Sequence, residues 1–157
     1  MAYKTAFRIL WQPNGYNCGV MAVINAINWQ AGHNVIKSKD IKGFEKILKT
    51  TKEDGTEESP MLKELRKHLY ARLEYKFSKR KVDNWLRRGN QVIVLYAYNV
   101  KTDDYHYANI FYIRKTFYWG ANFCNLRGMC ESMSMKSLVK RTRNQTSSVI
   151  YLRKKGR

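Results

Sequence analysis

Cysteine and proline are scarce in this sequence, and acidic residues are missing from both of its ends. Three cysteines (Cys18, Cys124 and Cys130) are an odd, sparse set among 157 residues. That excludes a disulfide framework and points to a reducing compartment such as the cytoplasm, with at least one thiol free. Two prolines and nine glycines exclude collagen-like and low-complexity architectures. No run approaches the roughly 18 apolar residues of a membrane span. Arg8 interrupts the short apolar stretch near the N-terminus and no small-residue cleavage site follows, so no secretory signal is expected. The sequon Asn144-Gln145-Thr146 is accordingly read as accidental.

Apolar residues are plentiful at 44%, with 13% aromatics, which is enough for one core spanning residues 1–157. Thirty Lys and Arg stand against twelve Asp and Glu, a formal net charge of +18. Solubility alone asks for a magnitude of only about 2–8. The excess favours encounter with polyanions: nucleic acid, anionic lipid or an acidic protein. The first acid is Asp40, and the segment from about 132 to 157 holds eight bases and no acid. A chain of this kind suits packaging with nucleic acid inside a virus or phage particle.

Hydrophobic spacing divides the chain into a helical half and a strand half. Pro13-Asn14-Gly15 is turn chemistry. Asn17 is expected to cap a helix starting at Cys18, with Val20, Val23, Ile24 and Ile27 on its buried face and Gly32 as its stop. Further helices are predicted over 38–50, 60–72 and 81–88, the third of these ending at Gly89. From Gln91 the period changes. Gln91–Tyr98 reads as a central strand, Tyr105–Ile113 and Thr116–Phe123 as a hairpin turning at Arg114-Lys115, and Ser148–Leu152 as a last strand. Helices first and an antiparallel sheet second is the α+β pattern.

Four residues form a set with catalytic chemistry. Cys18 stands at a helix N-terminus, where backbone N–H groups and the dipole favour a thiolate. Gly19 after it leaves room for a substrate backbone. His106, opening a strand after a polar loop, suits a base for that thiol. Asn122, near the end of the neighbouring strand, is placed to accept the imidazole N–H and orient the ring. Gln12, six residues before Cys18, supplies an amide to an oxyanion, with the Cys18 N–H as second donor; one such donor is worth about 10²–10³ in rate. Cys124 and Cys130 lack further ligands at zinc spacing and read as structural, so no metal is expected.

The ordered set resembles a known family. The segment Gln12-Pro13-Asn14-Gly15-Tyr16-Asn17-Cys18-Gly19 resembles the opening of papain-like cysteine peptidases of the bacteriocin-processing, double-glycine leader type. Asp54-Gly55-Thr56 with Met61-Leu62 and Leu65 is similar to its middle helix. Trp85 to Val94 is similar to its helix–glycine–strand segment, and His106-Tyr107 to its His-aromatic strand start. Asn122 replaces the family's Asp, and Phe123 its Pro. The resemblance spans about residues 8–125 and implies a papain-like fold, N-terminal helices packed on a C-terminal antiparallel sheet, in a free-standing module. It implies attack of a Cys18 thiolate on a peptide or isopeptide carbonyl of a peptide or protein substrate, without a cofactor. Deamidase, transglutaminase-like and deconjugating activities use the same trio.

The competing reading is a basic nucleic-acid-binding protein on a catalytically inactive papain-like fold. The +18 charge and the aromatics interleaved through Tyr105–Trp119 suit stacking on bases. Packing of those aromatics in a core is the simpler account of them.

Overall fold

The computed structural model describes residues 7–99, 104–125, 128–143 and 147–156. In chain order the elements are α1 (Cys18–Ala31), a 3₁₀ turn (Ser38–Asp40), α2 (Ile41–Ile47), α3 (Glu58–Leu65), β1 (Leu69–Glu74), α4 (Lys79–Arg87), β2 (Gln91–Asn99), β3 (Asp104–Arg114), β4 (Phe117–Asn125), β5 (Gly128–Ser134), α5 (Met135–Arg141) and β6 (Ser148–Lys154). The fold is α+β. Six strands form one sheet in the order β1-β6-β2-β3-β4-β5, every neighbouring pair antiparallel.

Both faces of this sheet are covered. On one face α1 packs with Ile93, Tyr107, Ile150 and Leu152. On the other, Val82 and Leu86 of α4 and Leu138 of α5 pack with Val92, Val94, Tyr96 and Ala108. Adjacent residues of β2 thus serve opposite cores, which is why Gln91–Tyr98 is almost continuously apolar rather than alternating. The helix α1 is itself buried nearly all round, from Gly19 to Trp29. Gly32 ends it with φ 83°, its N–H reaching the carbonyls of Asn28 and Trp29, as the sequence predicts.

Several expectations are corrected. The helix placed over 60–72 stops at Leu65, and Leu69, Ala71 and Leu73 instead form the inward face of β1. Leucines at 62, 65, 69 and 73 satisfy a helical period and, from 69 on, a strand period as well. The helix placed over 38–50 is a 3₁₀ turn followed by α2. Asn17 caps α1 with no side-chain bond; instead Asn14 Oδ1 accepts the N–H groups of Tyr16 and Asn17, each at 3.1 Å. The strand expected at Ser148–Leu152 is β6, which lies inside the sheet between β1 and β2 with Val149 to Leu152 buried. β5 and α5 have no counterpart in the sequence reading. The sequon 144–146 lies outside the described residues.

Candidate active site

Cys18 is the first residue of α1, reached through the Pro13–Gly15 turn. The half-buried Cys18 lines a cleft of about 420 Å³. Tyr16, Thr56, Leu95, Tyr105 and Tyr107 wall this cleft, with Glu53, Asp54 and Asp104 against Lys52 as its charged groups. On a strongly basic chain this concavity is therefore locally acidic. Burial pushes the Cys18 thiol up from its ordinary value, while the backbone N–H groups of Tyr107 and Gly19 pull the other way without overcoming it. The sulfur is a neutral thiol near pH 7.

Gly19 does not leave space for a substrate. A Cβ there would stand 2.7 Å from Thr56 Cβ and 3.2 Å from Met61 Sδ. Its missing side chain lets α1 pack against the segment entering α3.

The N-terminal strip is held by two side-chain amides. Asn25 Oδ1 accepts the Leu10 N–H at 2.9 Å and its Nδ2 donates to the Leu10 carbonyl at 3.1 Å. Asn122 Oδ1 accepts the Gln12 N–H at 2.9 Å and its Nδ2 donates to the Leu10 carbonyl at 3.0 Å. Asn122 has φ 61°, a left-handed conformation that asparagine tolerates better than most residues. The Gln12 side chain turns back, Nε2 donating to the Asn14 carbonyl at 2.6 Å, and its buried Oε1 has no partner.

Parity along β3 decides where His106 lies. Tyr107 pairs with Leu95 and packs on the α1 side. His106 pairs with Tyr96 and meets its ring edge-on at 5.7 Å between centroids, on the α4/α5 side where Tyr96 is buried. Neighbouring strand residues point to opposite faces. The imidazole therefore lies across the sheet from Cys18, and Tyr107 faces the thiol. His106 Nε2 donates to the backbone carbonyl of Asn122, not to its side chain. Burial holds the imidazole down at about 4, against an opposing pull from that carbonyl, so the ring is neutral near pH 7. Burial also raises Tyr107, assisted by Glu58 and Cys18.

The structure thus joins Gln12 to Asn122 and Asn122 to His106, but it does not bring His106 to Cys18, nor the Asn122 side chain to the imidazole. Among the described residues no group of three or more His, Cys, Asp or Glu could hold a metal, and no helix is long and apolar enough to cross a membrane. Cys130 is half-buried, its thiol directed at the Phe123 and Ser132 carbonyls; the Cys124 side chain lies outside the described residues.

Tyr107, Asp104 and the Glu53–Asp54 pair line the cleft; in the sequence Tyr107 and Asp54 carry only the family resemblance, and none of the four is assigned a role in the site. A signal for the acids was present: Glu53, Asp54, Glu57, Glu58, Asp103 and Asp104 are six of the twelve acids in the chain. Nothing in the spacing marks Tyr107, rather than His106, as the residue that faces the thiol.

No family model matches the chain, and no curated protein matches it. Among solved structures it is similar to the peptidase domain of Streptococcus ComA, described as a bi-functional ABC transporter involved in a quorum sensing pathway. The TM-score is 0.65 at 12% identity, covering 91% of this chain and 96% of the other. The fold is that of a papain-like peptidase domain. Its correspondence with the sequence resemblance is one of architecture, since 12% identity carries no residue roles with it.

Proposed function

We propose that this chain is a papain-like thiol peptidase domain that receives an extended peptide in the cleft over Cys18, with that sulfur as the attacking atom. The observation that carries the reading is the position of Cys18, at the N-terminus of the buried helix α1 and in the wall of a cleft, on the fold of a peptidase domain. The acidic lining supplies a substrate class. Three carboxylates against one lysine favour a peptide with Lys or Arg beside the reacting carbonyl, because a cationic chain finds there the complement that the rest of this surface denies it.

The described conformation is a resting one for that chemistry: the thiol is neutral and no imidazole touches it. Turnover requires a base on the α1 side of β3. A one-residue change of register at the Asp104 end would exchange Tyr107 for His106 there, since a slip of one residue inverts the faces. The β2–β3 ladder is irregular at this end, between Ala97 and Asn99. In this reading Asn122 and Gln12 are positioning residues that set the strip leading to Cys18.

A second reading, a domain that holds peptide without cutting it, is favoured by Tyr107 standing where a base would have to be. One experiment separates them. Labelled lysine-rich and glutamate-rich peptides are assayed for binding by anisotropy and for cleavage by mass spectrometry, with Cys18→Ala and His106→Ala alongside. Cleavage of the lysine-rich peptide that is lost in both variants supports the peptidase. Binding without cleavage supports the second reading, and binding of neither peptide overturns both.

A further inference from the structure

A second charged surface lies far from the Cys18 cleft, at the sheet edge formed by β1. There the register sets Tyr70 opposite Arg153 and Leu69 opposite Lys154. The Arg153 guanidinium lies over the Tyr70 ring at 4.3 Å, and Tyr70 remains 36% exposed. A cleft of about 580 Å³ runs along this edge, walled by Arg66, Tyr70, Arg72 and Lys155. A second, of about 750 Å³, takes Lys67, His68, Lys154 and Lys155 on the other side of the same strand end. Two of these cations are tied to backbone carbonyls: the exposed Lys155 donates through Nζ to the Arg66 carbonyl at 2.9 Å, and Arg66 Nε donates to the Ala71 carbonyl at 3.2 Å. The acids here are engaged with cations, Glu64 with Lys67 and His68 and Glu74 with Arg72 and Lys81.

We propose that this β1–β6 edge binds single-stranded nucleic acid. Cationic side chains on an edge strand are a common defence against strand addition, but that role needs neither a concavity nor an exposed ring. A single strand uses all three features. Guanidinium groups grip phosphates in a fork, an aromatic ring takes a base on its face, and a cleft of this volume accommodates a nucleotide. A rigid duplex presents no unstacked base to Tyr70. A membrane surface is flat and would be met by protruding apolar side chains, whereas this edge offers a groove. The lone net charge of +18 says only that polyanions are attracted; the edge says where one form of them fits.

The test is anisotropy of a short labelled oligothymidylate with the full chain at about 50 and 200 mM salt. Engagement of four phosphates gives a slope of log K against log salt near about −3. Tyr70→Ala is expected to weaken binding about tenfold or more, and Tyr70→Phe to leave it within about twofold, since stacking needs the ring and not the hydroxyl. Arg66→Ala with Lys155→Ala should flatten the slope by about 1.4, whereas Lys42→Ala with Lys46→Ala, on α2, should not. Thermal melts of each variant separate loss of binding from loss of folding. The proposal is overturned if Tyr70→Ala binds like the parent, if the α2 pair costs as much as the edge pair, or if a duplex competes better than the single strand. It is equally overturned if phosphatidylserine vesicles are captured through Tyr70 while the oligonucleotide is not.

Discussion

Tyr107→His is the substitution that puts the assignment of sheet faces at risk. It places an imidazole on the α1 side of β3, beside a thiol now raised above its ordinary 9.0 by burial. At pH 6 such a thiol is less than about one part in a thousand thiolate, because burial sets its midpoint more than about three units above that pH. An imidazole partner brings cysteine into the range of about 3.5–7.5; at about 6, half would be ionised, a gain of about 500-fold. A less basic thiolate is also a poorer nucleophile, by about 0.4–0.5 log units per pKa unit, which over three units removes a factor of about 16–30. The net expectation is an acceleration of about twentyfold in alkylation of Cys18 by iodoacetamide at pH 6, followed by peptide mass spectrometry with Cys130 as internal reference. His106→Ala in the otherwise unchanged chain should leave the Cys18 rate within about twofold, because its ring lies across the sheet. The reasoning fails if the outcomes are exchanged, with His106→Ala slowing Cys18 and Tyr107→His doing nothing.

The buried imidazole also makes stability depend on pH. The His106 ring titrates at about 4 in the folded chain against 6.5 ordinarily, so between these values the unfolded chain binds the extra proton. Stability is therefore complete above about pH 6.5 and declines as pH falls toward 4, by about 3 kcal/mol at 1.36 per unit. Urea midpoints measured across this window should lose that part of their slope in His106→Phe, and an unchanged slope would count against the burial described. Asn122→Ala leaves the Gln12 N–H without its acceptor, takes one of two amide donors from the Leu10 carbonyl and strains a backbone at φ 61°. A loss of about 2–4 kcal/mol is expected, with faster hydrogen exchange confined to residues 8–14, whereas uniform exchange across α1 would contradict the clamp. Gly19→Ala meets Thr56 at 2.7 Å and should cost about 1–3 kcal/mol; a gain in stability, as helix propensity alone would give, would show that α1 and the α3 approach are not in that contact.

Much of the architecture is legible in the residues. The 3.6-residue spacing of Val20, Val23, Ile24 and Ile27 and the glycine after it define α1 with its ends. The apolar run at 91–98 is a strand buried on both faces. Lys115, at φ 57°, turns the β3–β4 hairpin where the sequence puts it. What is not legible follows from interactions over long sequence separations. Leu69 and Leu73 leave the helical pattern because β6, some 80 residues away in sequence, offers β1 a ladder partner. Ser148–Leu152 is legible as a strand, and β6 spans Ser148–Lys154; its place between β1 and β2 is not, because the four apolar residues Val149 to Leu152 mark a strand without marking its neighbours.

The amino-acid order by itself determined that a cysteine would open the buried helix, that helices would precede an antiparallel sheet, and that half of the acids would gather in two short stretches of a basic chain. These follow from local periodicity, capping and composition, which act over a few residues. Tertiary structure alone decided which of two adjacent residues faces the thiol. His106 and Tyr107 both suit a strand, and both faces of β3 are buried, so no alternation of polar and apolar residues marks the inward side. Register with β2 and β4 sets that parity, and register is a property of three strands together.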